Sequence, residues 1–298
     1  MKNCVDELIS AFGESRVALG VPMSEHTSAR VGGPAAAMIF PESADEIITA
    51  IKICRERDFP FFVIGNGTNL IARDEGYAGL IIKISGDGKI RQISENTLLA
   101  PAGAPLSELC AFAAERSLSG LEFASGIPGT VGGAVCMNAG AYGGEIKNAI
   151  ISAAVICPDL SVKTLSRDEL GFGYRESVIK DGYIVTEASF ELRGGERDKI
   201  KTLMNELDEK RKLSQPLEYP SAGSAFKRPD GNYAGKLVAE AGLRGFRIGG
   251  AMVSDKHCGF IVNAGNATAK DFLDLIAHIQ AAVYEKSGVR LVPEPRIL

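Results

Sequence analysis

One stretch near the middle of the chain constrains the fold more than any other. Residues 123–145 read FASGIPGTVGGAVCMNAGAYGGE, with seven glycines and a single charged side chain, Glu145, at the end. Glycine adopts positive φ without strain and lets a ligand lie against bare backbone, so successive N–H groups can converge on an anion such as a pyrophosphate. The stretch is therefore predicted to be a loop that contacts a ligand through its backbone.

A second glycine turn follows an apolar strand earlier in the chain. The segment FFVIGNGTNL places Gly65, Asn66, Gly67, Thr68 and Asn69 at the turn. Either segment alone is equally compatible with a pair of ordinary tight turns, but two in one chain favour a long, phosphate-bearing cofactor. GNGTNL lacks the third glycine of the dinucleotide motif G-x-G-x-x-G, and the chain contains no G-x-x-x-x-G-K-[ST] phosphate loop. The ordinary Rossmann and P-loop interpretations are therefore weak.

The bulk composition limits the classes of function. The chain has 298 residues, 45% hydrophobic and 23% charged, which is ordinary for a globular protein with a substantial core. A formal net charge of -4 gives no electrostatic basis for binding nucleic acid or an acidic membrane surface. No apolar run approaches the ~20 residues of a membrane span, and the start MKNCVDELISAFGE carries acids where a signal peptide is apolar. We expect a cytoplasmic protein without a nucleic-acid, membrane or obligate protein partner.

The cysteines and histidines favour neither disulfides nor a metal site. The six cysteines include no C-x-x-C pair and mostly lie in apolar contexts, so we interpret them as reduced core residues. The three histidines come with no H-E-x-x-H motif and no cluster of acids, which predicts no bound metal. His278 lies on a predicted helix and is interpreted as structural.

Hydrophobic periodicity predicts alternating short strands and helices. Ser43 and Glu46 form a capping-box pattern at the start of the first of these helices. Further helices are expected over 105–116, 233–241 and 268–287, and strands over 150–158, 162–166 and 183–192. The charged stretch 193–216 is interpreted as a boundary loop followed by a solvated helix, which predicts a domain boundary near residue 200.

Four segments in order give the chain a resemblance to a known family. They are HTSARVGG, GNGTNLIARDEGYAGLII, GIPGTVGGAVCMNAGAYGGE, and a C-terminal half with FGYRES, YPSAGSAFKRP and PEPRIL. Over almost its whole length the chain resembles the UDP-N-acetylenolpyruvoylglucosamine reductases, flavoenzymes of bacterial peptidoglycan precursor synthesis. The resemblance implies an α+β fold with a two-lobed FAD-binding region of the PCMH, or vanillyl-alcohol-oxidase, type. That region is expected over residues 1–200, with lobes of about 1–83 and 84–200, before an α+β substrate domain over 201–298.

The resemblance also implies FAD as a non-covalent cofactor and NADPH as the hydride donor. The GNGTN turn offers no histidine or cysteine to tether FAD, and Cys136 is interpreted as a packed thiol. Asp74 is expected to organise its own turn rather than to contact FAD. Because the chain has no separate nicotinamide fold, NADPH is expected to use the substrate cleft and leave first, which predicts ping-pong kinetics. The implied FAD-binding residues are Arg30, Gly32, Gly65, Asn66, Gly67, Thr68, Asn69, Gly126, Pro128, Gly129, Thr130, Gly132 and Gly133.

The family's reaction adds a hydride and a proton to the enol ether of UDP-N-acetylglucosamine enolpyruvate and gives UDP-N-acetylmuramate. The resemblance implies that Arg175 stabilises the enolate-like intermediate, since a guanidinium stays protonated and can fork onto a carboxylate. It implies Ser224 as the proton donor and Glu294 as the third catalytic residue, which acts with Arg175 or stabilises the protonated form. The residues expected to hold the nucleotide sugar are Tyr174, Lys227, Asn232 and Lys236, with Lys256 and His257 as further candidates.

Two other functions stay open at this point. An FAD-dependent alcohol oxidase or dehydrogenase of the same cofactor fold would need a base, and no histidine lies in FGYRES, YPSAGSAFKRP or PEPRIL. A sugar-nucleotide binding protein without redox activity would purify colourless. Within the reductase family, the segment after Arg175 leaves no obvious room for the tyrosine-bearing loop of one subtype. The chain therefore resembles the subtype that lacks this loop.

Overall fold

The computed structural model of this protein describes residues 2–85 and 89–298. Within these ranges the helices are α1 (Lys2–Phe12), α2 (Ala44–Glu56), α3 (Leu106–Glu115), α4 (Val131–Cys136), α5 (Arg197–Ser214), α6 (Ala234–Glu240) and α7 (Ala269–Ser287). The strands are β1 (Val17–Pro22), β2 (Pro34–Ile39), β3 (Phe61–Ile64), β4 (Leu70–Ile71), β5 (Tyr77–Lys83), β6 (Arg91–Gln92), β7 (Thr97–Pro101), β8 (Leu118–Ser119), β9 (Gly140–Ala141), β10 (Gly144–Glu145), β11 (Ile150–Ile156), β12 (Val162–Ser166), β13 (Ile184–Glu191), β14 (Arg193–Gly194), β15 (Ser221–Ser224), β16 (Arg247–Ile248), β17 (Ala251–Val253), β18 (Phe260–Asn263) and β19 (Arg296–Ile297).

Three sheets of four or five strands carry the architecture. Their strand orders are β1-β2-β5-β3, β12-β11-β13-β7-β6 and β15-β18-β17-β16. The five-stranded sheet is antiparallel throughout, and so are the recorded pairings of the third sheet. Such sheets, with helices beside them instead of between parallel strands, define an α+β fold. The expected fold class is confirmed.

The chain forms two compact units. The first comprises Met1–Val17, Ile39–Asn66 and Ile81–Arg211, and the second comprises Ala18–Met38, Gly67–Leu80 and Lys212–Leu298. Each unit is therefore assembled from three separate segments. The predicted lobes of about 1–83 and 84–200, and the boundary near residue 200, are continuous segments and stay predictions.

The core of the first unit lies on the five-stranded sheet. Phe190 of β13 and Leu98 of β7 are fully buried there, together with Val135 of α4. Helix α3 buries the face that its periodicity predicts, with Leu109 at its centre, and Pro105 occupies the N-cap position. Proline suits this end of a helix because its φ is already close to the helical value and its missing N–H would have no partner there.

The core of the second unit is built on α7. Phe272 and Ile279 of this helix pack with Val238 of α6 and Ile261 of β18, and all four are buried. This apolar face is the one that helical spacing predicts. His278, on the same helix, stacks on Phe246 with ring centroids 4.5 Å apart, which confirms its structural interpretation.

Most of the predicted elements are present. The expected strands over 150–158, 162–166 and 183–192 correspond to β11, β12 and β13, and the charged stretch forms α5. Five of the six cysteines are buried, as their apolar contexts predict, and Cys136 is half-buried. Among the described helices, none combines the length and the apolar character that a membrane crossing requires.

Two local predictions need correction. The Ser43 hydroxyl accepts the N–H of Glu46 at 3.2 Å, which is one half of the capping box. The other half does not form, because the Glu46 carboxylate accepts the N–H of Glu42 instead of that of Ser43. Asp74 does not organise its own turn. Its carboxylate oxygens accept the N–H groups of Ala269 and Lys270, each at 2.8 Å, and so cap the N-terminus of α7. A negative charge at this end of a helix is favourable, because the unpaired N–H groups and the helix dipole are positive there.

The cap supplied by Asp74 gives a stability prediction. Asp74→Ala removes both acceptors, so the free energy of unfolding should fall by about 1 kcal/mol. Urea unfolding of the purified variants measures this change. Glu75→Ala is the matched control, because the neighbouring exposed acid makes no such contact in the structure, and its effect should stay within about 0.5 kcal/mol. Equal losses in both variants would contradict a capping role for Asp74.

Candidate functional site

The two glycine segments meet in the first unit. Gly65, directly after β3, lies against Thr130 so closely that a Cβ on Gly65 would come within 2.3 Å of the Thr130 hydroxyl oxygen. Only glycine fits this position without displacing its neighbour. The expectation that both segments belong to one site is supported by this direct contact.

The glycine stretch is not a continuous loop, which corrects the first expectation. It contains α4, whose N-cap residue Thr130 accepts the N–H of Gly133 at 3.3 Å. The N–H groups of Val131 and Gly132 donate to Ala104 and Ala102 at 2.9 and 2.8 Å. A threonine cap and the apolar residues that pack on the core offset the poor helix propensity of the glycines.

These bonds define which amides stay open to a ligand. The first amides of α4 are already paired within the protein, whereas among the described residues the N–H groups of Asn66, Gly129 and Thr130 have no acceptor. Gly129 has φ of 124°, a conformation that other residues rarely adopt. Open amides beside glycine residues fit the pyrophosphate of a dinucleotide cofactor. The amides that stay open to an anion are thus those directly before α4 and that of Asn66.

The same turn continues into the second unit, where the HTSARVGG segment packs on it. Gly67 has φ of 61°, and a Cβ there would come within 2.0 Å of the His26 carbonyl oxygen. The Gly67 carbonyl accepts the N–H of Ser28. Gly32 is similarly enclosed by Ala72. Arg30 is exposed and left-handed, with φ of 55°. Within this unit Gly67 is therefore in direct contact with the HTSARVGG segment.

The C-terminal strand runs beside the predicted cofactor turn. Asn69 donates from its side-chain amide to the carbonyl of Glu294 at 3.3 Å, and its own carbonyl accepts the N–H of Arg296 at 3.0 Å. The residues that follow form the parallel pair β4 and β19, with Leu70 opposite Arg296. A segment placed at the very end of the sequence is thereby fixed next to Asn69.

Ser224 lies on the other side of Glu294. It ends β15, and Ala225, the next residue, accepts the Glu294 N–H at 3.1 Å. The strand is irregular between Ser221 and Ser224, where Gly223 adopts φ of 80°. Ser224 and Glu294 are both half-buried. Two of the predicted catalytic residues thus occupy adjacent backbone segments of the second unit.

Arg175, in the first unit, occupies a tight turn. Gly173 and Glu176 exchange backbone hydrogen bonds of 3.0 and 3.3 Å, so Tyr174 and Arg175 form its tip. Arg175 has φ of 57°, a left-handed conformation that is strained for a residue with a Cβ. Its guanidinium donates to the Gly140 carbonyl at 3.0 Å and lies 5.1 Å from the Tyr174 ring centroid.

Comparison with known proteins identifies the family. The family model for the C-terminal domain of UDP-N-acetylenolpyruvoylglucosamine reductase matches residues 215–298, and a model for an FAD binding domain matches residues 35–166. The chain is 50% identical over 288 residues to a UDP-N-acetylenolpyruvoylglucosamine reductase of Clostridium botulinum, covering 96% of this chain and 94% of that protein. The chain belongs to the UDP-N-acetylenolpyruvoylglucosamine reductase family. A second reductase of the family, from Caldanaerobacter subterraneus, is 48% identical over 296 residues, with 99% and 97% coverage.

Solved structures agree with this assignment. The crystal structure of the family reductase from Thermus caldophilus matches with a TM-score of 0.80 and 38% identity, covering 94% of this chain and 97% of that one. An alkyldihydroxyacetonephosphate synthase matches with a TM-score of 0.50 at 16% identity, over 65% of this chain and 42% of that one, which indicates a shared fold alone. The expected FAD-binding fold and the FAD cofactor are confirmed. The individual site residues stay predictions.

The residues predicted to hold the family's sugar-nucleotide substrate differ in their surroundings. Tyr174 is exposed, whereas Lys227 is half-buried and its backbone N–H donates to Val292 at 2.8 Å. The Asn232 side-chain oxygen accepts the N–H of Tyr233 at 3.0 Å. Lys236 is exposed on α6 and lies 3.8 Å from Glu240, one helical turn away. An exposed lysine near a glutamate one helical turn away is typical of any helix surface, so the structure adds no support for Lys236 as a substrate residue.

The two further substrate candidates have contacts within the protein. The Lys256 ammonium donates to the Lys212 carbonyl at 2.6 Å. His257 accepts the Gly259 N–H on Nδ1 at 3.1 Å and packs edge-on against Phe260. Burial lowers the pKa of His257, which favours the neutral ring that this hydrogen bond needs.

Two polar residues of the site were not predicted. Asn138, within the glycine stretch, is fully buried and left-handed, with φ of 41°. An asparagine inside an apolar, glycine-rich run is the signal that could have singled it out. Arg211 of α5 lies beside Gly126, where a Cβ would come within 3.0 Å of its Cδ, and burial lowers the pKa of its guanidinium. No sequence feature distinguishes Arg211 from the other charges of that helix.

The contact between Gly65 and Thr130 gives a prediction for cofactor binding. In Gly65→Ala the new methyl group must displace the Thr130 hydroxyl, which is held by the Gly133 N–H. The dissociation constant for FAD should rise at least about tenfold, equivalent to ~1.4 kcal/mol. Titration of the apoprotein with FAD, followed by flavin fluorescence, measures it.

Gly194→Ala is the matched control for this variant. A Cβ on Gly194 meets no atom within 4 Å, so FAD affinity should stay unchanged. Far-UV circular dichroism verifies that both variants fold. Unchanged affinity in a folded Gly65→Ala protein would show that the two glycine segments do not jointly hold the cofactor.

Proposed function

We propose that this protein catalyses the NADPH-dependent reduction of UDP-N-acetylglucosamine enolpyruvate to UDP-N-acetylmuramate. The observation that carries the proposal is the arrangement around Glu294 in the second unit. Its backbone bonds on one side to Asn69, a predicted cofactor residue, and on the other to the segment of Ser224, the predicted proton donor. Three segments far apart in sequence, those of Asn69, Ser224 and Glu294, are thus adjacent. The identity of 50% to a UDP-N-acetylenolpyruvoylglucosamine reductase supports the same proposal.

The chain's own residues supply the binding of FAD. Asn66, Gly129 and Thr130 would present their amides to the pyrophosphate, and glycine at position 65 lets the two turns approach. Bound FAD would supply the hydride-transfer chemistry that links NADPH to the terminal carbon of the enolpyruvyl group. Because NADPH would use the same cleft as the sugar nucleotide and leave it first, the proposal includes ping-pong kinetics.

Arg175 would stabilise the negative charge that develops on the substrate. Hydride addition leaves an electron pair on the carbon next to the carboxylate, and this charge spreads onto the carboxylate oxygens. A guanidinium held in a fixed orientation stabilises such charge without reorganising during the reaction. The left-handed backbone and the bond to the Gly140 carbonyl give Arg175 that fixed orientation.

Ser224 would donate the proton that completes the reduction. Its hydroxyl proton moves to the charged carbon, and the resulting alkoxide must be stabilised or reprotonated from its surroundings. Glu294 is the group whose backbone is placed next to this segment, through the bond of its N–H to Ala225. We assign the stabilisation or reprotonation of the Ser224 alkoxide to Glu294.

The reactants indicate where the reaction takes place. NADPH and nucleotide-linked sugars are small, soluble molecules, so we place the reaction in the cytoplasm. The formal net charge of -4 offers no field that would attract nucleic acid. We propose no obligate protein partner for the reaction.

Ser224 gives the most selective test of this mechanism. Ser224→Ala should leave the reduction of the enzyme by NADPH within about twofold of normal, because no substrate proton is transferred in that step. Reoxidation by UDP-N-acetylglucosamine enolpyruvate should slow by at least about 100-fold, the usual scale of a lost general acid. Anaerobic stopped-flow absorbance separates the two half-reactions.

Ser287→Ala provides the control in the same unit. Its hydroxyl donates to the Val283 carbonyl at 2.7 Å at the end of α7, so its loss should leave both half-reactions unchanged. Equal slowing of both half-reactions in Ser224→Ala would contradict a role in proton donation.

A further inference from the structure

The buried side chain of Asn138 makes hydrogen bonds on both of its functional ends. Its amide nitrogen donates to the Gly173 carbonyl at 2.9 Å and to a Glu145 carboxylate oxygen at 3.1 Å, and its oxygen accepts the Lys147 N–H at 3.0 Å. The side chain is 0% exposed, so these are the partners it uses in place of water. A buried amide with this many bonds fixes the segments it joins.

The first segment that Asn138 fixes is the turn that carries Arg175. Gly173, which accepts from Asn138, is the residue at which this turn begins, and it exchanges hydrogen bonds with Glu176. At the third position of the turn Arg175 is left-handed, with φ of 57°. That conformation costs about 1–2 kcal/mol for a residue with a Cβ, so it persists only where the surroundings impose it.

The second segment that Asn138 fixes holds the Arg175 side chain. Glu145 of β10, which accepts from Asn138, is the strand partner of Gly140 in β9. The Gly140 carbonyl is the acceptor for the Arg175 guanidinium at 3.0 Å. One asparagine therefore ties down both the backbone turn of Arg175 and the acceptor that aims its side chain.

A second anchor holds the same two segments on the far side of Arg175. The Ser177 hydroxyl donates to the Cys136 carbonyl at 2.7 Å, and Ser177 is buried at 7% exposure. Asn138 and Cys136 belong to one segment, whereas Gly173 and Ser177 lie two residues before and two residues after Arg175. The backbone on both sides of Arg175 is thus held by a hydrogen bond to the same segment.

The charges around this arrangement are consistent with a fixed geometry. Burial alone would raise the pKa of the Glu145 carboxyl, but hydrogen bonds from Lys147 and Asn138, and to a lesser degree the charge of Arg175, hold it below its usual value. Glu145 therefore stays ionised and remains an acceptor for Asn138. Lys180 adds a bond of 2.5 Å from its ammonium to the Arg175 carbonyl.

We propose that Asn138 is a positioning residue for Arg175, with Ser177 as the second anchor of the same turn. This inference rests on the proposed function, in which Arg175 stabilises the charge that develops on the substrate. Asn138 itself need not touch the substrate. Its contribution is to hold the guanidinium in the orientation that this stabilisation requires, since a displacement of 1 Å in such a group costs about 100-fold in rate.

Asn138→Gly is the variant that isolates the side chain. Glycine accepts the left-handed backbone at this position, so the variant removes the side chain and its hydrogen bonds without straining the backbone. Reoxidation of the reduced enzyme by UDP-N-acetylglucosamine enolpyruvate should slow by at least about tenfold. Reduction by NADPH should stay within about twofold of normal, because Arg175 has no proposed role in that half-reaction.

A double-mutant cycle with Arg175→Lys distinguishes positioning from a general loss of structure. Lysine keeps the charge but lacks the planar fork, so Arg175→Lys alone should slow reoxidation by about 100-fold. If Asn138 acts through Arg175, adding Asn138→Gly to Arg175→Lys should slow reoxidation by less than about threefold more. Independent roles would instead give the product of the two single effects.

Three further variants complete the experiment. Arg167→Lys is the control for Arg175→Lys, because Arg167 also donates to a backbone carbonyl, that of Ile150 at 2.7 Å, and should retain normal rates. Ile156→Val removes a buried methyl group from the same unit and shows what a small loss of stability does to both half-reactions. Ser177→Ala tests the second anchor and should show the same selective slowing of reoxidation. It keeps the inference testable if Asn138→Gly does not fold.

The outcomes separate the inference from the proposed function. Selective, non-additive slowing in Asn138→Gly, or in Ser177→Ala, supports positioning. Slow reoxidation in Arg175→Lys with normal or fully additive rates for the anchor variants would overturn the positioning of Arg175 and leave its proposed role intact. Normal reoxidation in Arg175→Lys would overturn the proposed role itself, and the inference with it.

Discussion

The structure of the proposed cofactor site depends on a steric constraint at one glycine. The backbone of Gly65 lies where a Cβ would come within 2.3 Å of the Thr130 hydroxyl oxygen. Thr130 cannot simply turn away, because the same hydroxyl caps α4 by accepting the Gly133 N–H. This contact joins two turns that are 65 residues apart and leaves the amides between them for an anionic ligand. A single methyl group at position 65 would thus affect the turn, the helix cap and the cofactor together.

The proposed catalytic residues Glu294 and Arg175 are positioned largely by backbone hydrogen bonds. Glu294 is held through its backbone, since its N–H donates to the Ala225 carbonyl and its carbonyl accepts from the Asn69 side chain. Arg175 is held through its turn and through the Gly140 carbonyl. Positions fixed in this way are pre-organised, and a pre-organised charge or donor loses no energy to reorganisation when the substrate reacts.

The parts of the fold that the sequence could predict are those governed by local rules. The apolar face of α7, the proline at the start of α3 and the strands of the five-stranded sheet follow from periodicity and capping preferences. The ordered motifs also indicated the family, because several short segments in a fixed order are far more specific than one glycine turn.

What the sequence could not predict depends on contacts between distant residues. Asp74 caps a helix that begins 195 residues later, and no local pattern links the two. Helix α4 lies inside a glycine-rich stretch because Thr130 caps it and the core encloses Val131 and Val135, which outweighs local propensity. Asn138 acquires its meaning only from Gly173 and Glu145, whose positions are set by the fold.

We conclude that this chain is a flavoprotein that passes a hydride from NADPH to an enolpyruvyl sugar nucleotide. The most direct test is the visible spectrum of the purified protein without oxygen, recorded before NADPH, after NADPH, and after UDP-N-acetylglucosamine enolpyruvate. We expect a yellow flavin band that bleaches with NADPH and returns only when the enolpyruvyl sugar is added. Bleaching without recovery would contradict the assigned substrate, and a colourless protein that cannot be reconstituted with FAD would contradict flavin-dependent reduction altogether.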